Sequence, residues 1–159
     1  MEPRLHLGDS KVFGKFAKYL VSASGATAGT GLPHATEELV KIRASQINGC
    51  APCLDMHTKD AMVAGETQER LNLVAVWREA SVFTEAERAA LELAEQGTLI
   101  AGAGVTDEAW ANAAKHYDDD QLAALVCQIA LINAFNRGNV MTRQLGGDYQ
   151  PAQQSAPAA

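Results

Sequence analysis

Apolar residues recur along this chain at intervals of three and four, and no stretch alternates apolar and polar singly over the length of a strand. The first spacing lines one face of a helix, whereas single alternation would line one face of a sheet. A helix is predicted over residues 10–23, with Val12, Phe13, Phe16, Tyr19 and Leu20 on its apolar face and Ser10 as its cap. The loop 24–33 follows, rich in glycine and small polar residues. A second helix starts between Pro33 and Thr36 and runs to Ile47, with Leu39, Val40 and Ile42 apolar, and Asn48-Gly49 breaks it.

A third helix opens around Cys50–Pro52, where a first-turn proline sacrifices no hydrogen bond, and closes at Gly65. A short helix over 67–76 is capped by Thr67. The next, 84–97, begins with Thr84 and Glu87 at capping-box spacing, and another over 106–117 begins with Thr106 and two acids. The last helix, 119–144, is apolar on more than one face through Leu122, Leu125, Val126, Ile129, Leu131, Ile132 and Phe135. That pattern fits a central core helix, or one that also meets another subunit. Within it, Cys127 reads as an inert core thiol, and Asn133 and Asn136 as hydrogen-bonding partners of a loop or a neighbouring subunit. The chain end, "GGDYQPAQQSAPAA", has a disordered composition. The expectation is one all-α domain over 1–146 and a disordered tail over 147–159.

Charge narrows the partners. Thirteen basic against 19 acidic side chains leave a formal charge of −6, which disfavours nucleic acid and anionic membrane surfaces. The chain has no run of eighteen apolar residues, and "MEPRLHLGDSKVFGKF" does not read as a secretory leader, so a cytoplasmic location is expected. Three cysteines are too few for a secreted disulfide framework, and a close pair in a reducing compartment points to redox chemistry or metal.

The pair lies in "NGCAPCLDMH", residues 48–57. At the start of a helix, free N–H groups and the helix dipole favour a thiolate at Cys50. Cys53 follows one turn later, within reach of a disulfide, and His57 shares its helix face four residues on. An imidazole there can take the Cys53 proton or stabilise its thiolate. Glu38, on the preceding helix, is the candidate to orient His57; partial burial would raise its pKa and suit it to a proton relay. Glu37 is the neighbouring possibility. Zinc on Cys50, Cys53 and His57 lacks a fourth ligand, since His34 and His116 stand alone, and inert buried thiols are the remaining alternative. Trp77 reads as packing at a helix junction.

The stretch 37–65, "EELVKIRASQINGCAPCLDMHTKDAMVAG", resembles the core of the alkyl hydroperoxidase D-like proteins in the carboxymuconolactone decarboxylase family. "VWREASVFTEAERAALELAE" and "LINAFNR" extend the resemblance across roughly residues 10–145. It implies an all-helical, oligomeric thiol peroxidase in which Cys53 attacks the hydroperoxide, Cys50 closes the disulfide, and Glu38 and His57 relay protons. Glu38 precedes Cys50 by twelve positions and His57 follows Cys53 by four, as in the family's peroxidases. The implied partners are a small hydroperoxide, an external dithiol reductant and further copies of this chain in a trimer or hexamer, with no bound cofactor. One departure stands out: those peroxidases carry a histidine immediately before the second cysteine, where this chain has Pro52. The rival readings are a redox-responsive switch and a decarboxylase-like lyase on the same scaffold.

Overall fold

The computed structural model describes residues 2–152, and every regular element among them is helical. Seven α-helices are present: α1 (Lys11–Ser24), α2 (His34–Asn48), α3 (Ala51–Val63), α4 (Gln68–Leu73), α5 (Glu85–Thr98), α6 (Asp107–Ala113) and α7 (Asp119–Thr142). Their starts follow the capping chemistry read from the sequence. Ser10, Thr67, Thr84, Thr106 and Asp118 each accept a hydrogen bond from a first-turn N–H, and Thr84 with Glu87 closes the expected capping box.

Two helices end earlier than their apolar spacing predicts. After α4 the chain tightens into a 3-10 segment, Val74–Glu79, interrupted by non-helical angles at Val76. There the Trp77 ring turns into the core and its indole N–H donates to Glu95 at 2.9 Å. After α6 the chain leaves the helix at Ala113, which lets buried Tyr117 donate its hydroxyl to the Ala86 carbonyl at 2.7 Å.

At the centre lies α2, packed against α3, α5 and α7. Its Val40 joins α5, α6 and α7 through Leu93, Ala113 and Leu125, while Leu39 and Ile42 face Leu71, Trp77 and Leu91. The seam between α2 and α7 is polar. Asn48 donates its side-chain amide to the Oδ1 atoms of Asn133 and Asn136, both at 2.9 Å, and Asn136 donates to Ser45 Oγ at 3.1 Å. Asn133 also donates to Thr98 Oγ1 at 3.0 Å, so the asparagines of α7 bind neighbouring helices of the same chain.

Two expectations change, those for Cys127 and the chain end, and α1 shows an uncovered apolar face. Cys127 is exposed and not a core thiol: α7 buries Leu122, Leu125, Ile129 and Ile132, and two positions past Leu125 the helix has turned away from that face. Helix α1 buries none of its residues; Val12 is 82% exposed and Tyr19 62%. Finally, part of the segment expected as a disordered tail lies against α3. Asp55 accepts the Gly147 N–H at 2.8 Å and the Tyr149 N–H at 3.2 Å, and Tyr149 donates its hydroxyl to Asp60 at 2.8 Å. Gly146 makes the approach possible, because a Cβ there would sit 2.6 Å from the Ala51 carbonyl oxygen. The rest of the expected tail, 153–159, lies outside the described residues.

Asn136 is fully buried, so replacing it strands polar atoms on Ser45 and Asn48. Asn136→Ala should lower the unfolding free energy by roughly 1–3 kcal/mol. Urea denaturation at neutral pH measures it, and a loss below about 0.5 kcal/mol would show that the seam adds little.

Candidate active site

Gly49, in the left-handed conformation at φ 68°, turns the chain from the end of α2 directly into α3. Cys50 is therefore the residue preceding the first turn of α3, held by its N–H on the Ser45 carbonyl at 3.0 Å. Cys53 comes one turn on, and the two sulfurs are joined in a disulfide with Cα atoms 5.4 Å apart. Around them pack Ala44 of α2 and Ile132 of α7. Among the described residues no three His, Cys, Asp or Glu side chains gather as a metal-holding group.

The sequence-predicted residues converge. His57 Nδ1 lies 2.8 Å from Glu38 Oε2. A carboxylate only accepts, so Nδ1 carries the hydrogen and, in the neutral ring, Nε2 keeps its lone pair. Glu37 is not the orienting acid; its carboxylate reaches Lys41 Nζ at 3.9 Å. His34 begins α2, exposed, with Nε2 3.8 Å from Glu38 Oε1.

Burial pushes the Glu38 carboxyl up, as expected from its neighbours, but it does not win. The hydrogen bond and charge of His57, joined by Lys41, hold the group down at about 2. Lys41 Nζ donates to Oε1 at 2.9 Å, leaving Oε2 to His57. The expected raised pKa is thus reversed: Glu38 is an anion at any working pH, fixed between two donors.

Lys41, Cys53 and His57 border a cavity of about 270 Å³ between α1, α2, α3 and α7. Its apolar walls come from Val21, Met56, Leu131, Ile132 and Phe135, and Lys41, Cys53, His57, Gln128 and Asn139 supply its polar groups. Cys50 is not part of the lining. Asn139 donates its side-chain amide to Cys53 Sγ at 3.3 Å, and Gln128 donates to Thr27 Oγ1 at 3.0 Å. Sequence reasoning missed Lys41, Gln128 and Asn139. Lys41 had a signal, its i,i+3 spacing from Glu38; Asn139, 86 positions from Cys53, had none.

An all-helical chain with a Cys-x-x-Cys pair opening one helix, and a glutamate–histidine pair beneath it, is a protein of the alkyl hydroperoxidase D-like type. The chain belongs to the carboxymuconolactone decarboxylase family, whose pattern matches residues 14–96. It is 42% identical over 120 residues to the uncharacterized protein YdfG of Bacillus subtilis, spanning 76% of this chain and 82% of that one. Among solved structures it is similar to ATU0492 of Agrobacterium tumefaciens, a protein of unknown function proposed to be an AhpD antioxidant-defence protein. That likeness has a TM-score of 0.85 and 34% identity, over 93% of this chain and 100% of that chain. A peroxidase-related protein of Ralstonia eutropha with an alkylhydroperoxidase AhpD core shares the fold, at TM-score 0.74 and 18% identity over 86% of this chain and 76% of that one.

The depressed Glu38 pKa has a consequence for acid stability. Its folded value near 2 lies below the ordinary 4.5, so its contribution is complete above pH 4.5 and is lost as pH falls toward 2. The amount is on the order of 3 kcal/mol, at 1.36 kcal/mol per pKa unit. In urea titrations stepped through this range, wild type should lose that increment and Glu38→Gln should not. Parallel curves would show that Glu38 is not the group responsible.

Proposed function

We propose that this protein is a thiol peroxidase that reduces organic hydroperoxides through the Cys50–Cys53 pair. The carrying observation is that Cys53 lines the apolar cavity beside His57, whose Nδ1 is held by the Glu38 anion, while Cys50 is bonded to Cys53 and lies outside the lining. Such an arrangement suits Cys53 as the attacking sulfur and Cys50 as the resolving one.

The chemistry runs from the reduced pair. Cys53 gives its proton to His57 Nε2, and the thiolate attacks the terminal oxygen of ROOH. An S–O bond forms, the O–O bond breaks, and the departing alkoxide takes the proton from His57 to leave as ROH. Cys50 then attacks the sulfenic sulfur; the S–S bond forms, and hydroxide leaves with the Cys50 proton as water. An external dithiol returns two electrons and two protons by exchange. Glu38 keeps the imidazole oriented and stabilises its cationic form, a role that fits its low pKa. Turnover by such a reductant suits a reducing compartment, and we place the protein in the cytoplasm. No helix of the described residues is long and apolar enough to cross a membrane.

The exposed apolar side of α1, Val12, Phe16 and Tyr19, supports assembly with further copies of the chain, as a trimer or hexamer. Sedimentation should give a mass three or six times that of the chain, and Phe16→Glu with Tyr19→Glu should shift it toward the monomer. A monomeric wild type would sink the assembly reading.

Peroxide consumption with excess dithiol and a chelator tests the reaction. Cys53→Ser should abolish it, and Cys50→Ser, reduced and then freed of dithiol, should consume one equivalent and stop at a sulfenic acid that dimedone traps. The apolar walls should favour cumene hydroperoxide over hydrogen peroxide by about tenfold or more in kcat/KM, given about 0.8 kcal/mol per buried methylene. One oxidation without turnover would favour the redox switch, and a reaction indifferent to both cysteines would favour the lyase.

A further inference from the structure

We propose that Asn139 is a catalytic residue of this site: its side-chain amide holds the Cys53 sulfur as a thiolate and keeps it aimed into the cavity. The inference rests on the peroxidase reading for its purpose, and on geometry for its content. Asn139 Nδ2 lies 3.3 Å from Cys53 Sγ, a hydrogen bond between helices that joins residues 86 positions apart in the chain. A disulfide or thiol sulfur is a weak acceptor, but a thiolate is a strong one, so the same contact tightens when the pair is reduced and Cys53 ionises. The bond therefore discriminates between protonation states, as a thiol-activating group must.

The local chain offers Cys53 little help of this kind. The residue before it, Pro52, has neither a backbone N–H nor a side-chain donor. The donor comes instead from α7, where Asn139 sits among Ile132, Phe135 and Met56 in the cavity wall. An amide in such walls needs a polar partner, and the sulfur is the partner it has.

Its placement is fixed from both sides. The Asn139 carbonyl accepts the Gln144 N–H at 2.9 Å, closing the end of α7. One turn earlier Asn136 is locked to Ser45 and Asn48, the residues that lead into Cys50. Gly138 lets α1 come close, since a Cβ there would meet the Phe13 ring at 2.9 Å. The amide can follow the sulfur through the reaction. It donates to the thiolate before attack and to the sulfenate oxygen after it, with no proton changing hands at Asn139.

Few charges compete for control of this thiol. Lys41 of α2 and His57 of α3 line the cavity, with Glu38 of α2 behind them; α1 and α7 add Ser24, Gln128 and Asn139, which do not titrate.

The test uses the full chain with Cys50→Ser and Cys127→Ser, which leaves Cys53 as the single thiol of the three cysteines. Iodoacetamide alkylation rates across pH read its thiolate fraction without any peroxide. Asn139→Ala should raise the thiol pKa and slow alkylation at pH 7 by roughly tenfold, one hydrogen bond to a charged group corresponding to about one pKa unit. Asn139→Leu, close to the same shape, should do likewise, and Asn139→Asp should slow it further by placing an anion against the sulfur. Circular dichroism and the assembly mass confirm that each variant is folded. An unchanged alkylation profile in whichever of the Ala and Leu variants folds would overturn the proposal, even if wild type consumes peroxide. A shifted profile without peroxide turnover by wild type would uphold the Asn139 contact and remove the peroxidase reading.

Discussion

Three side-chain amides and a hydroxyl hold the molecule in register. Asn136, fully buried on α7, binds both Ser45 and Asn48 on α2, and Asn133 shares the second of these. A buried amide left unmatched costs more than a mispacked methyl, so the two helices cannot slide without losing several bonds together. That constraint reaches the sulfur chemistry directly. Ser45 also accepts the Cys50 N–H through its carbonyl, and Asn139, one turn beyond Asn136, meets Cys53. The seam that sets the helix packing therefore also aligns the cysteine pair with the wall it faces.

Beneath the pair, electrostatics decides what Glu38 can do. Burial alone would have raised its pKa and made it a proton carrier. With His57 on one oxygen and Lys41 on the other, the anion is the stable form, and the protonated acid becomes the costly one. In the proposed peroxidase cycle its contribution is orientation: it selects the imidazole tautomer whose free nitrogen can serve the thiol. Proton movement is then left to His57 and the reacting groups themselves. In that proposed cycle a fixed anion raises no barrier of its own, because no reorganisation of charge is asked of it.

Apolar surface is distributed unevenly, and the distribution follows the site. Helix α1 spends its apolar residues outward, yet Val21 and Ser24 from its last turns close one side of the cavity. The wall of the site thus depends on a helix that the isolated chain leaves half uncovered. On the opposite side of α3, the backbone of Gly146 rests on Ala51 and the tail hydrogen bonds to Asp55 and Lys59. The start of α3, which carries the cysteine pair, is clamped between the cavity on one side and this segment on the other.

Much of this was legible in the order of residues. Threefold and fourfold apolar spacing, caps such as Thr84 with Glu87, and the Asn48-Gly49 break specify helices locally, because helix hydrogen bonds and caps join residues at most a few positions apart. The same locality made Cys50, Cys53 and His57 readable as one face, and Glu38 reachable across a single sharp turn. What the sequence left open involves distant partners or competing terms. The early ends of α4 and α6 answer to Trp77 and Tyr117 finding Glu95 and Ala86. The outward turn of Cys127 is set by which α7 face meets α2, and the sign of the Glu38 shift by His57 and Lys41 both meeting one carboxylate. Asn139 is the clearest case. Nothing within 80 positions of Cys53 announces it, since only the packing of α7 on α3 brings an amide to the sulfur. Local chemistry was written in the chain; the long-range contacts that tune it exist only once the helices have packed.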